Sequence, residues 1–233
     1  VRNIWISALL FVTYRCAGQT PLNEVPVSLL RANLLRIAAG QAQAEPTVVI
    51  CLVADPNRQI MSAAETLANQ IFTSIRVTIR WHESPVCPAA PEVPVFMVIR
   101  TATPKTYFPD ALGVALPLEG SHAWVFYDRV QRAVRDDKHL TALLAHVMVH
   151  EIAHVLQGIN RHSESGILKA NWSEREIAQM AVLPLAFTPT DATLIHMGIE
   201  DRRTRLVSNR FAEAPTNHSG AISPPAKGAL PVR

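Results

Sequence analysis

The chain has 233 residues, 48% apolar and 18% charged, enough for one buried core and one catalytic-sized domain with tails, which excludes wholesale disorder and fibrous repeats. Formal net charge is +3, and without Arg2 and Arg15, in a leader considered below, 20 of the 22 basic residues face 19 acidic ones. So even a balance argues against nucleic acid as a partner, and the one basic cluster, Arg202, Arg203, Arg205 and Arg210, reads as the solvated end of a helix.

Residues 1–18 read as an export signal: Arg2, an apolar run from Ile4 to Val12, then the small residues Cys16, Ala17 and Gly18. That run is too short to span a bilayer, so a stable membrane span is not expected, and an uncleaved membrane-proximal anchor is the rival reading. Export implies a secreted or periplasmic protein. Residues 19–45 form an N-terminal segment in which Val27 to Ala39 has a helical apolar pattern. Removal of the leader leaves Cys51 and Cys87, for which a disulfide and a buried free thiol both remain open.

The folded domain is expected over 46–207. Thr47 to Val53 is an apolar run ended by Asp55-Pro56-Asn57, hence a buried strand and turn. Ser62 to Phe72 reads as helix, and Ile75, Val77, Ile79 and Trp81 alternate as a half-buried strand. The four prolines between Ser84 and Pro94 demand a loop. Val95 to Thr101, Ala111 to Leu116 and Ala123 to Tyr127 read as three more strands. This order predicts an α+β fold with a mixed sheet covered on one side by helices.

Leu140 to Gln157 is an uninterrupted helix pattern. At 100° per residue, Leu144, Met148, Ile152, Val155 and Leu156 share a core-facing side, while His146, His150, His154 and Gln157 face away. Gly158 follows where a helix end favours positive φ. Ser173 to Leu183 starts with a capping box formed by Ser173 and Glu176, and Thr190 to Val207 is a last helix. Ser208 to Arg233, with four prolines, is expected to be a flexible tail.

His150-Glu151-Ile152-Ala153-His154 is HExxH on that helix. Imidazoles four residues apart lie on adjacent turns of one face and can reach a single Zn²⁺, with Glu151 over the metal's open side as general base and acid. A third ligand is needed if one position is to stay open to water. His162 can return from beyond the helix end through the Gly158-Ile159-Asn160-Arg161 turn, and Glu174, twenty residues past His154, is the alternative. His146, one turn before His150, reads as a hydrogen-bonded buried residue. Trp172 reads as a packing anchor for the loop that carries His162.

His150 to His162, with Ser163 after it, resembles the metzincin pattern HExxHxxGxxH, especially its matrixin and archaemetzincin forms. With Leu112 to Ala115, Ala123 to Val130, Gly166-Ile167-Leu168 and Trp172, residues 47–205 are similar to exported bacterial zincin-like proteins. Two departures stand out. The family's Gly and third His fall on Gln157 and Asn160, whereas this chain has Gly158 and His162, a turn two residues longer. Leu168 stands where such families place the Met of a turn beneath the metal. The resemblance implies a zincin-like domain with a long active-site helix packed on the sheet, and an edge strand around Ala123 to Phe126 that binds an extended peptide by strand addition. It also implies peptide-bond hydrolysis with a peptide or protein as partner. The alternative is a catalytically inactive peptide-binding protein on the same scaffold with structural zinc. The sequence does not fix the oligomeric state.

Overall fold

The structure is a computed structural model that describes residues 4–5, 45–83, 87, 93–107 and 110–212. Apart from Ile4 and Trp5, the expected export signal and N-terminal segment lie outside the described residues up to residue 44; of the tail expected from Ser208, residues 208–212 belong instead to the last helix and the rest lies outside the described residues. Ile4–Trp5 (β1) pairs antiparallel with Asn171–Trp172 (β7).

The domain is α+β, built on a five-stranded mixed sheet. Its strands are β2 (Thr47–Ala54), β3 (Thr78–Glu83), β4 (Val93–Arg100), β5 (Gly113–Ala115) and β6 (His122–Phe126), in the spatial order β3-β2-β4-β6-β5. All neighbours are parallel except β5 and β6, which pair antiparallel. The strand expected at the edge, Ala123 to Phe126, therefore lies inside the sheet, and Gly113–Ala115 is the edge instead. The apolar run 123–126 is what an interior strand needs, because both of its flanks and one face are covered.

The helices are α1 (Arg58–Thr73), α2 (Tyr127–Ala133), α3 (Asp137–Gln157), α4 (Glu174–Met180) and α5 (Pro189–Ala212). Side-chain caps set their starts. Asn57 accepts from the Gln59 N–H at 2.7 Å, so α1 begins before Ser62, and Asp136 accepts from the His139 N–H at 3.0 Å, so α3 begins before Leu140. The capping box of α4 forms as expected from Ser173 and Glu176, though the helix stops at Met180. Ile75, expected in a strand, belongs instead to a turn in which Arg76 takes a positive φ of 58°. There the Val77 N–H donates to the Phe72 carbonyl at 3.1 Å, so β3 starts only at Thr78. Tyr127 likewise opens a short helix rather than ending a strand.

Helix α3 departs most from expectation. Every residue from Ala142 to Gln157 is buried, including the histidines expected to face away from the core. One side packs on the sheet and α1, and the other is covered by α4 and α5. Between Ala142 and Gln157 only His146, His150, Glu151, His154 and Gln157 are polar, and the apolar remainder of the helix surface needs this covered environment. It is also long and apolar enough by length and composition to cross a membrane, yet 89% of its apolar window is buried inside the fold.

One open question is answered and one reading changes. Cys51 and Cys87 are paired, with Cα atoms 5.5 Å apart, which closes a loop of 36 residues and stabilises the fold by about 4 kcal/mol through loop entropy. Arg202 is not a solvated helix end. Its guanidinium donates to the carbonyls of Gly120, Val155 and Pro94, tying α5 to α3 and the sheet. Burial lowers its pKa to about 10.

Candidate metal centre

Two of the three expected ligands stand on α3. His150 and His154 stand on successive turns with their Nε2 atoms 3.0 Å apart. Each is oriented from behind by a main-chain carbonyl: His150 Nδ1 donates to Ile167 O at 2.8 Å, and His154 Nδ1 points to Ile159 O at 3.4 Å. A carbonyl can only accept, so the proton sits on Nδ1 and Nε2 keeps a bare lone pair.

Helix α3 ends at Gly158, whose φ of 68° is left-handed and whose N–H donates to the His154 carbonyl at 3.1 Å. The chain then reverses and delivers His162, whose ring lies 4.9 Å from that of His154 and 5.4 Å from that of His150. One nitrogen from each of the three lies within 4.8 Å of the others. His162 Nε2 is buried and has no hydrogen-bond partner.

That orphaned nitrogen, beside two lone pairs at 3.0 Å, is unfavourable unless a cation is shared. Tetrahedral zinc, bonded at about 2.0–2.1 Å, sets ligand nitrogens roughly 3.3 Å apart, close to the 3.0 Å of the helix pair, and three neutral imidazoles are a donor set that zinc takes. The rings are also in the protonation state a metal needs. Burial, then the neighbouring imidazoles, holds His150 well below its usual pKa, and burial followed by His162 lowers His154 to about 4. Burial lowers His162 as well. All three are neutral near pH 7.

Glu151 is fully buried and lies against β5. A Cβ on Gly113 would sit 2.8 Å from its Cγ and Oε1, and 2.9 Å from the Trp124 carbonyl. Gly113 is thus part of the centre, because only the absence of a side chain there leaves room for the carboxylate. A glycine within a strand signals a close approach of this kind, and that signal was present in the sequence.

Glu174, the rival ligand, is not brought to the cluster. It stands on the exposed first turn of α4, on the wall of a surface cavity of about 740 Å³ shared with Asp110, Arg129 and Asp136. His146 also stays apart, donating from Nδ1 to Ala142 O at 2.7 Å and accepting at Nε2 from the Leu185 N–H at 2.9 Å. Burial pushes its pKa down to about 4. Trp172 anchors the region, with its ring edge-on to those of His150 at 5.6 Å and His146 at 6.2 Å. Leu168 is buried in the main core, and its carbonyl accepts from the Ser163 N–H at 2.8 Å.

A family model described as zincin-like metallopeptidase matches residues 109–166. No curated protein and no solved structure matches the chain. The matched segment is about a quarter of the sequence and runs from the approach to the edge strand, through Glu151, to just past His162. Over that segment the chain is similar to zincin-like metallopeptidases, and its three clustered histidines are consistent with a bound metal such as zinc.

Proposed function

We propose that the protein is an exported zinc-dependent metallopeptidase that hydrolyses peptide bonds, with His150, His154 and His162 holding the metal and Glu151 moving the proton. The observation that carries this reading is the convergence of three imidazole nitrogens, one of them buried without a partner, beside a buried glutamate. When bound, zinc supplies Lewis acidity, polarising a carbonyl and making a water a nucleophile near neutral pH. Glu151 takes a proton from the attacking water and returns it to the leaving amine.

The substrate lies along β5. Leu112 and Leu116 turn their main chains toward β6, with Phe126 N–H to Leu112 O at 2.8 Å and Leu116 N–H to His122 O at 3.0 Å. By antiparallel alternation, the main-chain groups of Gly113 and Ala115 face outward, and among the described residues nothing pairs with them. An extended peptide added there runs past Glu151. The Cys51–Cys87 bond supports export, because such bonds persist in oxidising compartments.

The test is Glu151→Gln on a peptide library. Retained zinc with cleavage reduced about 10²–10⁴-fold is the expected result, and undiminished cleavage ends the proposal. One observation favours a second reading, a peptide-binding protein with structural zinc: His150 and Glu151 are 0% exposed and His154 1%. Binding of a hydroxamate to the zinc-loaded protein separates the two, since only an open coordination position admits it.

A further inference from the structure

The three histidines are not held alike. His150 and His154 each have a carbonyl behind the ring. Among the described residues, no hydrogen bond orients the ring of His162, so its place depends on the main chain on either side of it. Both neighbours are fastened to one buried group. Asp191 is 0% exposed on the first turn of α5, and its Oδ1 accepts from Arg161 Nη1 at 3.0 Å and from Ser163 Oγ at 2.5 Å. Arg161 Nη1 also donates to Ser163 Oγ at 3.2 Å, which closes the triangle.

The other carboxylate oxygen of Asp191 is fixed by the helix. Oδ2 accepts from the Thr188 N–H at 3.1 Å and from Thr188 Oγ1 at 2.7 Å, while Thr188 Oγ1 accepts from the Asp191 N–H at 3.2 Å. This is a reciprocal cap in which Asp takes the place of Glu. The Gln157 side chain, at the end of α3, donates to the Asp191 carbonyl at 3.4 Å. One oxygen thus grips α5 and the other grips the turn, with His162 between the two residues that are gripped. Asp191 lies outside the segment matched by the family model.

We propose that Asp191 is a positioning residue for the third metal ligand: by holding Arg161 and Ser163 against α5 it sets where His162 Nε2 points. The C-terminal helix is then a working part of the metal centre, joined to it through one carboxylate. The inference rests on the metal reading above and extends it to a residue that no motif contains.

The experiment measures Zn²⁺ affinity of the full chain by chelator competition, together with the visible spectrum of the Co²⁺-loaded protein. Asp191→Ala is expected to weaken Zn²⁺ about 10–100-fold, the usual effect of losing a group that orients a ligand, and its Co²⁺ spectrum is expected to converge on that of His162→Ala. Because Asp191→Ala also removes a helix cap, a second variant leaves the cap intact: Arg161→Ala with Ser163→Ala, which is expected to weaken binding in the same direction. The deciding measurement adds Asp191→Ala to His162→Ala. A group that acts through His162 costs nothing more once His162 is gone, whereas a general loss of structure costs the same again. Affinity unchanged in both variants, or a further tenfold loss in the His162→Ala background, overturns the clamp while leaving the metal reading in place. Failure of the unmodified protein to bind either ion overturns both.

Discussion

His150 and His154 ride on a helix buried on every side, with their rings braced by carbonyls. His162 sits past the helix end on a turn whose neighbours are tied to a helix almost thirty residues further on, and its own ring has no such brace among the described residues. The same side chain, aimed at the same point, is thus held in two ways. Local geometry is enough on α3, because 3.6 residues per turn put positions four apart on one face. Beyond Gly158 no local rule gives direction, and a long-range hydrogen-bonded clamp takes over.

The helix half can be stressed through its buried imidazoles. His146 has a folded pKa of about 4, against an unfolded value near 6.5. Between those values the unfolded chain binds the proton and the native protein does not, so stability falls as pH drops from about 6.5 to about 4 and then levels off. The contribution is on the order of 3 kcal/mol, and His146→Gln should lose one proton's worth of this slope in urea titrations run across that range. An unchanged slope would show that the ring is not held neutral.

A smaller effect separates proton transfer from metal binding within the same half. Gly113→Ala drives a methyl group into the space of the Glu151 carboxylate, and misplacing a reacting group by about 1 Å costs roughly a hundredfold in rate. Peptide turnover should fall by about that factor while Zn²⁺ affinity holds. An equal loss of both would mean that Gly113 supports the fold rather than Glu151.

The smallest effect lies at the junction of the two halves. Gly158 has φ 68°, and nothing lies within 4 Å of where a Cβ would go. Gly158→Ala therefore meets only the backbone penalty of the left-handed region, about 1 kcal/mol, read as a modest drop in Tm. A much larger drop would show that the turn to His162 is strained in its own right.

Most of the helix half was legible beforehand. HExxH on a long apolar pattern placed His150, Glu151 and His154, and Gly158 marked the end of the helix for a reason that needs no tertiary contact. The capping box at Ser173 and Glu176 was readable in the same way. The loop half was legible only as a choice between His162 and Glu174. Which of the two lies near the histidine pair depends on where α4 lies, and Glu174 falls on its outer turn, away from the cluster that His162 joins. Asp191 was readable only as the cap partner of Thr188, three positions before it, and nothing in the spacing links it to Arg161 and Ser163.

The sequence by itself determined the α+β order of elements, the histidine pair on its helix and the turn that follows, because each depends on periodicity, capping or the conformational freedom of a residue within a few positions. Only the tertiary structure decided that 113–115 rather than 123–126 is the sheet edge, that the polar side of α3 is buried, and that Cys51 meets Cys87. It also decided that Asp191 reaches both neighbours of His162. These depend on which segments become neighbours in space, and that is set by the packing of the whole core, to which no local run of residues has access.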